Sequence, residues 1–157
     1  MRILIIAGGT ALVASVIFSF LADQLLAGRI AILGSFAGFQ LSHNPGIAFG
    51  LRLPPVAQEL LIGIALIIVA IIAIRHARHP QARYPQASRP AAAATLVAFG
   101  LILGGGIANI VDRIPDGLVT DFIQIGTFPT FNVADSCITV GAILLILESF
   151  IRSRRER

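Results

Sequence analysis

The stretch GGGIANIVDRIPDGLVTDFIQIGTFPTFNVAD, residues 104–135, separates two strongly apolar segments of the chain. It contains four of the protein's eight acidic residues: Asp112, Asp116, Asp121 and Asp135. Carboxylates at the ends of membrane helices are costly to keep there, so a cluster of them marks a candidate functional site. The acidic stretch and its apolar flanks together indicate a membrane protein with chemistry at one membrane face.

The composition of the whole chain agrees with that interpretation. The 157 residues are 56% hydrophobic and only 13% charged, whereas a soluble domain is about 25% charged. This length is typical of one domain. The single cysteine, Cys137, excludes an internal disulfide and a metal–thiolate cluster. All 12 basic residues are arginine, which excludes a lysine general base.

Four apolar runs are predicted to cross the membrane as helices: 3–22, 56–74, 91–110 and 136–151. About 20 residues are needed to cross the hydrocarbon core. The fourth run has only 16, so we expect its helix to begin inside 131–135 or to lie where the bilayer is thinner.

The first run has an alternative interpretation as a cleaved signal peptide, because Arg2 would supply a basic amino-terminal region. The hydrophobic part of a signal peptide spans about 7–15 residues and ends at an A-x-A-like site. This run is longer, and no such site is obvious. We therefore expect a retained membrane span.

The segments between the runs predict the rest of the architecture. In 23–55 the pieces FQLS and IAFG are strand-like and NPG marks a tight turn, and in 111–135 the piece FIQIGTFPTF alternates like a strand. The segment 75–90 is a polar, basic loop interrupted by proline. We predict one integral-membrane domain over 1–157, of the membrane α-helical class. It would have four transmembrane helices and a small extracytoplasmic β-like segment at the outer face.

The arginines predict the orientation. Four spans put both termini and the 75–90 loop on one side of the membrane, with 23–55 and 111–135 on the other. Nine of the twelve arginines lie on the first side, which the positive-inside rule makes cytoplasmic. Six of the eight acidic residues lie on or near the opposite face. The net charge of +4 is therefore a signal of topology and does not indicate nucleic-acid binding.

Histidine-dependent catalysis is disfavoured by this topology. A serine or cysteine nucleophile needs a histidine beside it, and a histidine-based zinc site needs several. His76 and His79 fall in the cytoplasmic loop, and only His43 is expected on the outer face. The groups that could take part in catalysis on the outer face are therefore aspartate, asparagine and backbone groups.

Two aspartates are enough for a hydrolase. When two carboxyls share one proton, the ionised carboxyl takes a proton from water and the neutral one polarises the scissile carbonyl. Such a pair must be close, which separates its two apparent pKa values. Asp121 follows the third span and Asp135 begins the fourth, so antiparallel neighbouring helices would bring them together.

Three other interpretations compete with a catalytic pair. The aspartates could cap or terminate helices, with Asp135 as an N-cap and Asp23 and Asp112 at span ends, and Asn44 could serve only its turn. The chain could be a small transporter with a carboxylate relay, although the middles of the predicted spans are free of acids. It could also be a non-catalytic assembly subunit, in which no particular aspartate would be required.

Five sequence pieces carry a resemblance to a known family, and they occur in that family's order. They are Asp23-Gln24, NPGIAFG at 44–50, NIVDR at 109–113, GLVTDF at 117–122 and FNVAD at 131–135. With four spans and this topology, the chain resembles the lipoprotein signal peptidases (signal peptidase II), aspartic peptidases of the bacterial inner membrane. The resemblance covers nearly the whole chain.

The resemblance implies roles for particular residues. Asp121 and Asp135 would be the catalytic pair, and Asp23 would lie nearby with a structural or positioning role. Independently of the resemblance, Gly46 and Gly50 would let the backbone approach the substrate closely. The residues expected to position the substrate and the aspartate pair are Asn44, Asn109, Asp112, Arg113 and Asn132.

The resemblance also implies partners. The substrate would be a prolipoprotein whose cysteine already carries diacylglycerol, cleaved before that cysteine to release the signal peptide. Membrane lipids would surround the enzyme, and no metal or organic cofactor and no nucleic acid is expected. We expect a monomer in the bacterial inner membrane, with both termini cytoplasmic and the active site near the extracytoplasmic face.

Overall fold

The computed structural model describes residues 1–46, 54–78 and 89–155, and these form four helices and a three-stranded sheet. The helices are α1 (Arg2–Leu25), α2 (Pro55–Arg78), α3 (Arg89–Arg113) and α4 (Val133–Arg155). The strands are β1 (Ile30–Leu33), β2 (Ala37–Asn44) and β3 (Val119–Ile125). All four helices are long and apolar enough to cross a membrane. The predicted fold class is confirmed.

The helices extend beyond the predicted apolar runs because their polar ends are also helical. α1 continues past 22 to Leu25, and α3 continues past 110 to Arg113. α2 continues to Arg78, so the predicted loop 75–90 begins later than expected. Arg75 and Arg78 lie in the last turn of α2. Basic side chains there interact favourably with the helix dipole, which explains why these arginines do not end the helix. The strand-like piece IAFG, at 47–50, lies outside the described residues.

Three consecutive glycines make α3 the central helix of the bundle. A Cβ atom on Gly104 would collide with Gly8 of α1, one on Gly105 with Ala134 of α4, and one on Gly106 with Leu66 of α2. Successive residues of a helix point about 100° apart, so three in a row face three directions. Small residues let membrane helices approach closely. This triplet therefore seats α3 against all three other helices.

Substituting these glycines should have unequal effects. A Cβ on Gly105 would lie 2.5 Å from the backbone oxygen of Ala134, directly before Asp135. A Cβ on Gly106 would meet only the end of the Leu66 side chain, which can rotate away. We expect Gly105→Ala to destabilise the protein by about 1–3 kcal/mol, as overpacking against backbone does. Gly106→Ala should cost less. Thermal unfolding in detergent measures both.

Gly9 supplies the control, because a Cβ there meets nothing within 4 Å. Gly9→Ala should leave the melting temperature close to that of the parent protein. Equal melting temperatures for the alanine variants at 105 and 106 would contradict the packing argument.

The sheet brings Asn44 and Asp121 onto one face. β2 lies between β1 and β3, and both pairings are antiparallel. Asn44 is opposite Val119, and Ser42 is opposite Asp121. Asn44 and Asp121 are thus diagonal neighbours across the strand pair, within reach of each other's side chains. Residues 119–122 of β3 are all buried, so Asp121 points into the protein rather than to its surface.

After β3 the chain turns and returns alongside it. Gly126 has φ +55°, a conformation that favours glycine. Phe131 then pairs with Ile123, with hydrogen bonds from Ile123 N to Phe131 O (2.8 Å) and from Phe131 N to Ile123 O (3.1 Å). This return places Asn132 beside the buried strand just before α4 begins. The first turn of α4 is thereby held next to Asp121.

Candidate active site

Asp121 is buried and accepts two hydrogen bonds from asparagine side chains. Its exposed fraction is 1%. Oδ2 accepts from Asn44 Nδ2 at 3.1 Å, and Oδ1 accepts from Asn132 Nδ2 at 3.0 Å. Both carboxyl oxygens are therefore held in place by neutral donors from different parts of the chain.

Asp135 lies in the first turn of α4 and belongs to the same network. Its Oδ1 accepts a hydrogen bond from Asn109 Nδ2 of α3 at 2.8 Å. Asn132 Nδ2, which donates to Asp121, also donates to Asn109 Oδ1 at 3.1 Å. The backbone of Asn132 is also close enough to hydrogen-bond the Asp135 carboxyl. The two carboxyls are thus connected through two asparagines.

Asn132 is the N-cap of α4. Its Oδ1 accepts the backbone N–H of Asp135 at 2.8 Å, which is the N-cap to N3 bond. The interpretation of Asp135 as the N-cap is therefore wrong, because Asn132 holds that position. The Asp135 carboxyl accepts from Asn109, and the Asn132 backbone at the start of the helix also stabilises its charged form. One asparagine both starts the helix and links the two aspartates.

The pKa of Asp121 is raised from its usual 3.8 to about 7. Burial is the largest cause, because it disfavours the charged carboxylate, and the nearby Asp135 carboxyl raises the pKa further. Asp112 also raises it, while the hydrogen bond from Asn44 and the charge of Arg113 lower it. Near neutral pH, Asp121 is thus poised between its two protonation states.

Asp112 and Arg113, at the end of α3, hydrogen-bond to backbone groups of two other segments. Asp112 Oδ2 accepts the Thr120 N–H at 2.7 Å, which ties α3 to β3 beside Asp121. Arg113 is 7% exposed, and its Nη2 donates to Gly46 O at 2.6 Å. The resemblance implied supporting roles for both residues. The contacts found here are with the backbone of Thr120, beside Asp121, and with the backbone of Gly46, in the turn after β2.

Arg113 also connects the turn after β2 to two helices. Its Nη1 donates to Asn109 O at 3.3 Å, and its Nε lies 3.6 Å from Glu59 Oε1 of α2. Gly46 N–H in turn donates to Asn44 Oδ1 at 2.8 Å. The guanidinium therefore joins α2, α3 and the Asn44–Gly46 turn around one buried charge.

Asp23 lies outside the aspartate–asparagine network that the described residues form around Asp121 and Asp135. It is exposed near the end of α1, where its Oδ1 lies 3.4 Å from His43 Nε2 and its Oδ2 accepts from Gln24 at 3.3 Å. His43 precedes Asn44 on β2. Asp23 is therefore linked to the site through His43 and not through Asp121 or Asp135.

Sequence reasoning missed Gln58. This glutamine is 3% exposed, and its Nε2 donates to Pro45 O at 3.2 Å. The one available signal was its position, since Gln58 and Glu59 are the polar pair at the start of an otherwise apolar helix. Asp116, in contrast, is exposed and accepts the Leu118 N–H at 2.9 Å, as a turn residue does.

A cavity of about 610 Å³ opens beside the network. Its polar wall contains Asn44, Asn109, Arg113 and Asp135. Apolar residues of α2 and α4, such as Ile62 and Ile138, and the 128–131 loop complete the lining. Within the described ranges, no three histidine, cysteine, aspartate or glutamate side chains are grouped to hold a metal ion. The cavity suits a largely apolar ligand that presents a polar group to Asp135.

Comparison with known proteins relates this chain to a family. The family model described as signal peptidase (SPase) II matches residues 5–151. The lipoprotein signal peptidase of Chlorobium luteolum is 35% identical over 130 residues, covering 75% of this chain and 71% of that protein. The lipoprotein signal peptidase of Symbiobacterium thermophilum is 34% identical over 135 residues, covering 81% and 79%.

A solved structure of a bacterial membrane enzyme, determined by the in meso method, has the same fold. It superposes with a TM-score of 0.80 at 22% sequence identity, covering 100% of this chain and 93% of that one. A second such structure gives a TM-score of 0.69, also at 22% identity, covering 94% of this chain and 92% of the other. The arrangement of four helices and a small sheet is therefore shared with known membrane enzymes.

Proposed function

The chain belongs to the signal peptidase II family of bacterial membrane peptidases, and from this premise we propose that it removes signal peptides from diacylglyceryl-modified prolipoproteins. In this proposal Asp121 and Asp135 are the catalytic aspartates. The observation that carries the proposal is their connection through Asn132 and Asn109 at the edge of the cavity.

The proposed chemistry needs one proton shared by two carboxyls. The pKa of Asp121, raised to about 7 by burial and by Asp135, keeps a proton available near neutral pH. The pair would carry one charge: its ionised carboxyl takes a proton from the attacking water, and its neutral carboxyl donates one to the scissile carbonyl oxygen. The proton belongs to the pair and not to either residue alone.

The neighbouring groups suit this chemistry. Asn44, Asn109 and Asn132 all use their amide N–H groups on carboxyl oxygens, so they hold the pair without taking up protons. A water would bind on the Asp135 carboxyl, which lines the cavity. Arg113 and Asp112 would support the site from α3, and Gly46 would line the approach of the substrate.

The cavity suggests where the substrate would lie. A signal peptide and a diacylglyceryl group are both apolar, so both would favour a cavity walled by membrane helices. The scissile peptide bond, before the lipidated cysteine, would face Asp135. We also propose that the termini are cytoplasmic and the aspartates extracytoplasmic, as the arginine distribution predicts. One chain supplies every proposed catalytic residue, which is consistent with a monomer.

A cleavage assay tests the proposed function. Purified protein in detergent micelles is incubated with two synthetic prolipoprotein peptides, one with a diacylglyceryl group on the cysteine and one without it. We expect cleavage of the lipidated peptide before its cysteine, identified by mass spectrometry of both fragments. Equal cleavage of the unmodified peptide would overturn the substrate class, and cleavage of neither would overturn the proposed function.

A further inference from the structure

Gln58 is a buried amide that uses only one of its two polar groups. It lies near the start of α2, is 3% exposed, and donates from Nε2 to Pro45 O at 3.2 Å. Its Oε1 is also buried, and no described residue donates to it. The side chain therefore carries an unpaired acceptor into the interior of the protein.

Such an acceptor lowers the stability of the folded state. Burying a carbonyl oxygen without a donor costs free energy, and a methionine of similar length would remove that oxygen while leaving Pro45 O without its donor, so the two effects on stability largely offset each other. The fold alone thus does not require an amide at this position. What the amide provides is its single hydrogen bond to Pro45, which connects α2 to the turn after β2.

That turn is held at two successive carbonyls. Gln58 donates to Pro45 O, and Arg113 donates to Gly46 O at 2.6 Å. Within the turn, Asn44 Oδ1 accepts the Gly46 N–H at 2.8 Å. Because Oδ1 is occupied, Nδ2 is the end of the Asn44 amide that points to Asp121, where it donates at 3.1 Å. The direction of the Asn44 amide thus depends on the position of the turn.

We infer that Gln58 is a positioning residue for the aspartate pair: by holding Pro45, it keeps Asn44 hydrogen-bonded to Asp121. Its kinetic consequence rests on the proposed function, but its effect on Asp121 does not. Gln58 acts through Asn44 and lies outside the residues that line the cavity.

The test variant is Gln58→Met in the purified full-length protein. The hydrogen bond from Asn44 lowers the pKa of Asp121, so loosening Asn44 should raise it. The other charged groups acting on Asp121 are Asp135 of α4 and Asp112 and Arg113 of α3, and the substitution removes none of them. The expected result is that Asp121 keeps its proton to higher pH in the variant.

Infrared difference spectroscopy measures this without any substrate. The C=O stretch of the protonated carboxyl is followed against pH and assigned to Asp121 by its absence from Asp121→Asn. We expect the titration midpoint to move to higher pH in Gln58→Met and the melting temperature to stay close to that of the parent protein. Gln40→Met, at an exposed position on β2, is the matched control and should change neither.

A double substitution shows whether Gln58 works through Asn44. Asn44→Ala should move the midpoint in the same direction, and adding Gln58→Met to it should change nothing further, because residues in one network are not additive. On the lipidated peptide, Gln58→Met should lower kcat/KM by up to about 10²-fold, as a misplacement of about 1 Å can.

Two results would overturn the inference. One is a Gln58→Met protein whose Asp121 titrates as in the parent. The other is a variant that fails to fold or melts far lower, since the amide would then be a stability element. If the parent protein cleaved neither peptide, the proposed function would fail, and the titration would still decide the role of Gln58.

Discussion

Asp121→Asn and Asp135→Asn should each lower kcat/KM for the lipidated peptide by roughly 10³- to 10⁴-fold. Asparagine cannot take a proton from water or give one to a carbonyl oxygen. Replacing either carboxyl therefore removes the shared proton of the pair. Each substitution keeps the size of the side chain, so the cavity and the helices should be retained. Steady-state cleavage of the lipidated peptide provides the measurement.

Asp116→Asn is the matched control for this pair of variants. Asp116 lies in the same stretch of sequence, but it is exposed and only accepts the N–H of Leu118. Asparagine offers the same acceptor, so the variant should cleave within about twofold of the parent rate, as surface substitutions usually do. Parent-like cleavage by either active-site variant would refute the catalytic assignment.

The pH dependence of stability tests the raised pKa of Asp121 without any substrate. Asp121 titrates at about 7 in the folded protein and at about 3.8 when unfolded. Between these values the folded state binds the extra proton, so its stability falls as pH rises toward 7. The parent protein should therefore melt at a lower temperature at pH 8 than at pH 5. That difference should shrink in Asp121→Asn, since asparagine does not titrate.

Asn132→Ala and Asn132→Ser should separate two functions of one side chain. Alanine removes both the helix cap and the amide that joins Asp121 to Asn109, whereas serine is itself a good N-cap. Alanine should cost about 1 kcal/mol of stability for the cap, and serine much less. Both should lower kcat/KM by roughly 10²-fold, because misplaced catalytic groups lose about that much.

Thermal unfolding measures the loss of the helix cap, and cleavage kinetics on the same preparations measure the loss of the amide bridge. Full activity in the serine variant would show that the amide bridge between the aspartates is dispensable. An equal fall in melting temperature for both variants would show that the cap contributes little and that the bridge itself holds α4.

The sequence predicted the helical part of the fold well because crossing a bilayer imposes a strong local requirement. A run of about 20 apolar residues is visible without knowing its neighbours, and the four helices were found where the runs are. Helix ends were less predictable. The motif residues at Asp23, Arg113 and Val133 are helical although they are polar or lie outside the apolar runs.

The candidate site was predictable in its residues but not in its connections. The motif pieces brought Asn44, Asn109, Asn132, Asp121 and Asp135 to attention, and all five are hydrogen-bonded together. Nothing in the spacing indicates which asparagine faces which aspartate. Asp23 belongs to the same motif set and yet lies outside the network, paired with His43.

By itself, then, the sequence determined the class of fold, the family and the segment in which the acidic residues gather. Those properties follow from local composition and from short motifs, and both are present in the unfolded chain. Only the tertiary structure decided that Asn132 rather than Asp135 caps α4, and that Gln58 reaches Pro45. It also decided that Asp121 is buried enough for its pKa to rise to about 7. The reason is physical. The cap depends on the residue at which α4 begins, the Gln58 hydrogen bond depends on two segments that meet only in the fold, and the raised pKa depends on the groups that exclude water from Asp121.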